Sequence, residues 1–455
     1  MEAKQYIEEL VEKARTAQKE FEAYSQKRVD KCVRAIGKIV FDNAGLLAKH
    51  AVEETKMGNC KDKIMKNAGK SKAVWYRLKG VKSRGIISYD EKTGIVEVAK
   101  PKGVIGCITP TTNPNMTPMQ NAMIALKGGN AVVVCPHPRS KKSSMETCEL
   151  MREALDKCGA PKDLIQCVEN PTAEISSLVM SMTDVCVATG GSAMVKAAFS
   201  SGRPAYGVGP GNVQVLIDND ADIDDAVTKI LAGRIYDNGI LCTCEQSVIV
   251  PEHIYAKVIE VFKSKGAYYI EDAQTLDKLR RAVFPDGIIS KDAVGATPDI
   301  IGRISGTYIP EGTKAIIVKA EGIGADDLFN KEKMCPILVA HSYDTWEKAV
   351  EIAKENLETD GKGHSVVIHS FNKEHIEYVA LNISVSRFAV RQIGSNGLGG
   401  AYYNGLNPSA TMGCGSWSGS SISENLWWTH LANITRIAYF LDDYTIPDDD
   451  CVWEE

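Results

Sequence analysis

From residue 103 the chain alternates short apolar runs with segments of helical period, and this rhythm constrains the fold more than any other feature. GVIGCI, NAVVVC, DLIQCV and TDVCVA each suit one buried strand, and PMQNAMIALK and SSMETCELMREALDKC repeat their apolar residues every three to four positions. Strand, helix, strand in series predicts a parallel sheet covered by helices, a doubly wound α/β domain. The punctuation agrees. Thr117-Pro118-Met119-Gln120 reads as a capping box with proline at the first helical position, and Gly128 and Gly159 stand where helices should stop. Ligands of such sheets bind beyond the carboxyl ends of the strands. Three unusual loops lie there: TPTTNPN from 109, PHPRSKK from 136 and TGGSAM from 189.

Near Gly233 a second α/β region begins, with SVIVP, KAIIVK, CPILVA and HSVVIHS as strands. A chain of 455 residues is too long for one core. The predicted organisation is a cofactor-binding domain over 1–234, a catalytic domain over 235–425 and a C-terminal segment over 426–455. Ahead of the first sheet, Ile7, Leu10, Val11, Ala14 and Ala17, then Val33, Ile36 and Val40, mark helices. Residues 84–101 alternate on both sides of Thr93-Gly94, which reads as a β-hairpin. Its exposed edges need a partner, so a homodimer or a dimer of dimers is expected, with the C-terminal segment taking part.

Charge excludes several classes. The net charge is −5 and no concentrated basic run occurs, which argues against nucleic acid as partner. No apolar run approaches the roughly 20 residues that span a bilayer, and the acidic, helical N-terminus is unlike a signal peptide. A cytoplasmic protein is therefore expected. Thirteen cysteines without paired spacing are then no disulfide framework, and most of them are small core residues.

Cys242 and Cys244 in DNGILCTCEQ are the pair to weigh. No second C-x-C and no C-x2-C occurs, so neither zinc nor any other metal is expected, and a redox dithiol is weak. Asp-Asn-Gly forces a turn just before Cys242 at a domain boundary, where clefts concentrate. TGGSAM puts glycines between a strand and a helix, where N–H groups can face a phosphate. GVGPGN, at 207–212, is glycine-rich without the G-x-G-x-x-G spacing; each of the two reads equally as a plain turn. Arg139 with Lys141 and Lys142 suits a ribose phosphate or a solvated helix start.

TPTTNP, PHPRSKK, VATGGSAMVKAAFSSGRPAYGVGPGN, DNG-x-x-C-x-x-EQ, KEKMCP and GCGSWSGSSISEN, in this order, resemble the CoA-acylating branch of the aldehyde dehydrogenase superfamily. Within it the chain is most similar to the CoA-dependent succinate-semialdehyde dehydrogenases. The resemblance implies that Cys242 attacks an aldehyde as nucleophile and that Asn113 holds the developing alkoxide. It further implies NAD or NADP as cofactor, bound by Thr109, Pro110, Thr111, His137, Pro138, Arg139, Thr189, Gly190, Gly191 and Gly209, with Glu332 on the nicotinamide ribose. Coenzyme A is the implied co-substrate, and His364 in GHS the implied helper for its thiol. Cys244 falls where relatives carry a small residue.

Hydrolytic members of the family carry an E-L-G-G-K motif whose glutamate activates water. The matching stretch here is Gly207-Val208-Gly209-Pro210-Gly211, with no carboxylate. Transfer of the acyl group to a thiol is expected to replace hydrolysis. The best substrate pair is succinic semialdehyde and succinyl-CoA. Alternatives are acetaldehyde, propionaldehyde, sulfoacetaldehyde, or a hydrolytic enzyme. Arg387 keeps the family's S-R frame and Arg391 is an addition; both are candidates to pair with an anionic substrate tail.

Overall fold

The structure is a computed structural model in which residues 2–453 are described; the last two residues of the acidic C-terminal stretch lie outside them. The first sheet has five parallel strands, in the spatial order Ile165–Cys167, Ala131–Pro136, Val104–Thr109, Val185–Thr189 and Ala205–Val208. Chain order reverses between Val104–Thr109 and Val185–Thr189. Their carboxyl ends, at Thr109 and Thr189, therefore flank the crevice where such sheets bind ligands. Every residue of Val104–Thr109 and Ala131–Pro136 is buried, as expected of strands covered on both faces.

Helices cover the sheet in layers. Gln26–Asp42 lies across Met116–Lys127 and Lys141–Lys157, and Cys60–Leu78 packs on Met116–Lys127 and so reaches the crevice. Met116–Lys127 departs from the sequence expectation. It begins one residue before Thr117, with Asn115 at its cap and no side-chain capping bond. Gln120 does not fold back on the helix start. Its Nε2 donates to Ser409 Oγ at 3.1 Å, and its Oε1 accepts from the Ala410 N–H, so it ties the first sheet to a distant loop.

The second sheet has seven parallel strands, in the order Ala267–Ile270, Ala315–Lys319, Ile337–Tyr343, Glu245–Pro251, Val213–Ile217, Val366–His369 and Phe388–Val390. Val213–Ile217 belongs to this sheet, so its layer begins well before the 234/235 boundary read from sequence. NVQVLI is uniformly apolar, and nothing local in it says which sheet it will join. Leu426, Trp427, Trp428 and Leu431 return to the core of the first sheet.

Gly85–Asp90 and Ile95–Pro101 form the expected antiparallel hairpin, and Ala432–Ala438 adds a third antiparallel strand on Ile95–Pro101. One hairpin edge is therefore covered by the chain's own C-terminal segment.

Candidate active site

The nucleophile loop is built by a chain reversal that few sequences could make. After the helix Ile223–Ile235, Asp237, Asn238 and Gly239 take φ of 49°, 55° and 73°, all left-handed. Asp and Asn tolerate that region better than other side chains, at about 1 kcal/mol each. A Cβ on Gly239 would come within 2.9 Å of the Cys335 carbonyl carbon, so only glycine fits. Arg234, fully buried, pins the turn by donating to the carbonyls of Gly239 at 2.7 Å, Glu245 at 2.7 Å and Lys333 at 2.8 Å. Cys242 follows, three residues ahead of the central strand Glu245–Pro251. The second sheet thus presents the amino end of its middle strand to the carboxyl edge of the first.

Two cavities, of about 280 Å³ and about 320 Å³, meet at Cys242, and both are also lined by Asn113 and Ala410. The larger runs over the crevice of the first sheet. Of the expected cofactor residues, Thr109, Pro110, Thr111, His137, Pro138, Thr189, Gly190, Gly191, Gly209 and Glu332 line it; Arg139 does not and is exposed. The walls suit a dinucleotide. Gly191 caps the helix Ser192–Phe199 with no side-chain bond, leaving its first N–H groups for an anion. The Thr109 hydroxyl is buried without a partner, and a Cβ on Gly191 or Gly209 would meet only open space. Glu332 Oε1 accepts from the Gly211 N–H at 3.1 Å, while burial, reinforced by Asp360, pushes its carboxyl up to about 8.

Asn113 is oriented by charge. Its Oδ1 accepts from Lys66 Nζ at 2.7 Å. An ammonium can only donate, so the side-chain atom facing Lys66 must be the oxygen, and the amide N–H groups turn away from it. Lys66 in turn pairs with Asp237, which also holds Lys63 Nζ at 3.0 Å and the Asn59 N–H at 2.9 Å. One buried aspartate in the turn before the nucleophile therefore fixes the asparagine beside it. Breaking such a buried cluster by removing one charge costs about 3–5 kcal/mol.

Burial pushes the Cys242 thiol up to about 12, with the Glu332 carboxylate adding to the shift and Arg387 opposing it. Cys244 is a different group: it is fully buried, its sulfur 3.7 Å from the Tyr236 carbonyl, and it lines neither cavity.

Gly207 is crowded by two side chains of the helix Ser192–Phe199. A Cβ there would lie 2.7 Å from Val195 Cγ1 and 3.0 Å from Phe199 Cζ. A side chain at this position would have to displace the side chains of Val195 and Phe199, and Gly207 itself lines neither of the cavities that meet at Cys242.

Three predicted residues stand away from both cavities. Arg387 is buried and spends its guanidinium on Ser365 Oγ, Asn425 Oδ1 and the carbonyls of His364 and Gly413. It pins the chain rather than facing a substrate. Arg391 is exposed, its guanidinium 4.0 Å from the Phe371 ring centroid. His364 is fully buried with both ring nitrogens unpartnered, and burial holds its imidazole well below the usual histidine range. The charged residues that do line the smaller cavity are Lys66 and Lys70, joined by Tyr236, Ser395, Tyr402 and Tyr403. Sequence reasoning missed them. Lys63, Lys66 and Lys70, at helical spacing within CKDKIMKNAGKSK, were the available signal.

The model of the aldehyde dehydrogenase family matches residues 2–291 of the chain. Over 447 residues the chain is 50% identical to a succinate-semialdehyde dehydrogenase (acetylating) of Clostridium kluyveri, covering 98% of both chains. An acetylating aldehyde dehydrogenase from Geobacillus thermoglucosidasius superposes with a TM-score of 0.94 at 37% identity, over 98% of each chain. A propionaldehyde dehydrogenase of Rhodopseudomonas palustris, solved with bound CoA and an acylated cysteine, gives a TM-score of 0.86 at 28% identity, over 95% of this chain and 96% of that one.

Proposed function

The chain belongs to the aldehyde dehydrogenase family, and from that premise we propose that it is a CoA-acylating member, interconverting a short anionic aldehyde and its acyl-CoA through a thioester on Cys242. Succinic semialdehyde and succinyl-CoA are the substrate pair best supported, by the 50% identity to the Clostridium kluyveri enzyme.

The residues divide the work as follows. Cys242 attacks the aldehyde carbon from the floor shared by the two cavities. The Asn113 amide and the Cys242 N–H receive the oxygen as it becomes an alkoxide; Lys66 keeps the amide turned for that contact. The larger cavity, with Thr109, Thr189, Gly190, Gly191 and Glu332 in its wall, would hold a nicotinamide cofactor, NAD or NADP, which would supply the hydride acceptor that lets the carbon bonded to Cys242 reach the thioester level. Coenzyme A then takes the acyl group. The proton of its thiol passes to solvent; His364, the helper expected from sequence, is fully buried and lines neither cavity, so it makes no contact with a thiol reacting at Cys242.

The observation that carries this reading is the glycine at 207, where hydrolytic members carry the glutamate that activates water. With no carboxylate at position 207 to activate water, and Glu332 assigned to the cofactor ribose, the thioester waits for a better nucleophile than water, and a thiol is one. The purified protein should oxidise NADH or NADPH when given succinyl-CoA, releasing free CoA in equal amount. If neither cofactor is oxidised with any short acyl-CoA, the reading fails.

The outer strand Ala432–Ala438 leads into exposed Tyr439, Phe440 and Ile446, which supports a homodimer or a dimer of dimers built there. No helix among the described residues is long and apolar enough to cross a membrane. Thirteen free cysteines fit a reducing compartment such as the cytoplasm.

A further inference from the structure

The helix Cys60–Leu78 turns Lys63, Lys66 and Lys70 toward the site on one face. Among the described residues these three ammonium groups meet one carboxylate. Asp237 takes Lys63 and Lys66, whereas Lys70 makes no ion pair. Its Nζ donates to the Gly399 carbonyl at 2.8 Å. An ammonium carries three N–H donors, so the others remain for the cavity that Lys70 lines together with Cys242. Ser395 lines the same cavity, and its hydroxyl is buried without a partner. A cation held in a walled cavity without a counterion costs stability unless a ligand brings the charge.

We propose that Lys70, together with the Ser395 hydroxyl in the same cavity, receives a terminal oxyanion, a carboxylate or its equivalent, at the far end of the chain whose carbonyl reacts at Cys242. This deepens the acylating reading above and rests on it for the identity of the reacting carbonyl. It also moves anion recognition from Arg387 and Arg391 to a helix of the first layer. Burial pushes the Lys70 ammonium down to about 8, and a bound anion favours the charged form. Recognition needs that charged form. It is complete below about pH 8 and is lost as pH rises through that value. Lys66, Cys242, Tyr236, Tyr402 and Tyr403 also line the cavity; Lys66 is already paired with Asp237 and Asn113, and the Lys70→Met variant leaves all five in place, so a change in the ratio of anionic to neutral acyl groups reports on Lys70.

The test compares succinyl-CoA with butyryl-CoA, in which a methyl replaces the carboxylate. Lys70→Met should lower kcat/KM for succinyl-CoA roughly ten- to a hundredfold and leave butyryl-CoA within about threefold, while Lys70→Arg keeps the preference. In the wild type, KM for succinyl-CoA alone should rise above about pH 8. An equal loss on both acyl-CoAs, or no loss on either, overturns the assignment. Alkylation of Cys242 by 3-bromopropionate and by 3-bromopropionamide gives a readout independent of turnover. In both, sulfur bonds to carbon, bromide leaves and the thiol proton passes to solvent. The anion-to-amide rate ratio should fall about tenfold or more in Lys70→Met; an unchanged ratio overturns the assignment. A wild type that shows the alkylation preference but oxidises no cofactor with any acyl-CoA sinks the acylating reading and leaves the cation's role standing.

Discussion

Replacing Cys242 with serine is expected to lower acyl-CoA reduction by roughly 10⁴-fold or more, while Cys244→Ser leaves most of the activity. The two sulfurs are two positions apart and have opposite surroundings. Cys242 opens onto both cavities, so its substitution removes the atom that bonds to substrate. A serine hydroxyl at that place is a far weaker nucleophile, and the ester it could form is a poorer acyl donor than a thioester. Cys244 lies under the turn against the Tyr236 carbonyl, where a hydroxyl costs about 1–3 kcal/mol of stability and touches no substrate. Steady-state rates of the two variants, with melting temperatures to confirm folding, separate these effects. Loss of activity in Cys244→Ser alone would assign the chemistry to the wrong sulfur.

The next largest effect is expected at Asn113. Asn113→Ala removes one alkoxide donor and should lower kcat by about 10²- to 10³-fold with a smaller change in KM. Asn113→Asp should be no better, because a carboxylate would pair with Lys66 and offer no N–H to the alkoxide. Lys66→Met leaves the amide in place but frees it to turn, and it also unbalances Asp237, so it should combine a loss in kcat with a lower melting temperature. A kcat within about threefold of wild type in Asn113→Ala would show that the alkoxide is held elsewhere.

The parts of this molecule that were legible in the sequence are those with short-range causes. GVIGCI and NAVVVC became buried parallel strands because an apolar run between helical segments has one economical place in an α/β fold. The hairpin around Thr93-Gly94 formed because Gly94 supplies the left-handed residue its turn requires. The Asp-Asn-Gly reversal before Cys242 was visible for the same reason. What was not legible depends on partners far along the chain. NVQVLI carries no mark of the sheet it joins, and Gln120 serves a loop 290 residues away rather than its own helix. Arg387 and Arg391 looked like anion receptors by charge alone. Burial gives the first five protein acceptors, and exposure gives the second a phenylalanine face. The lysines of Cys60–Leu78 were overlooked because lysine at helical spacing usually marks a solvated face. Only the packing of that helix over the crevice turns them toward the nucleophile.

The central claim is that the thioester on Cys242 waits for a thiol because no water-activating carboxylate stands at Gly207. Rapid mixing of the enzyme with succinic semialdehyde and NAD or NADP, without CoA, tests it directly. The account predicts one burst of reduced cofactor, close to one equivalent per chain, followed by a stall that CoA releases at once. Steady turnover without CoA, yielding free acid at a rate comparable to that with CoA, would contradict it.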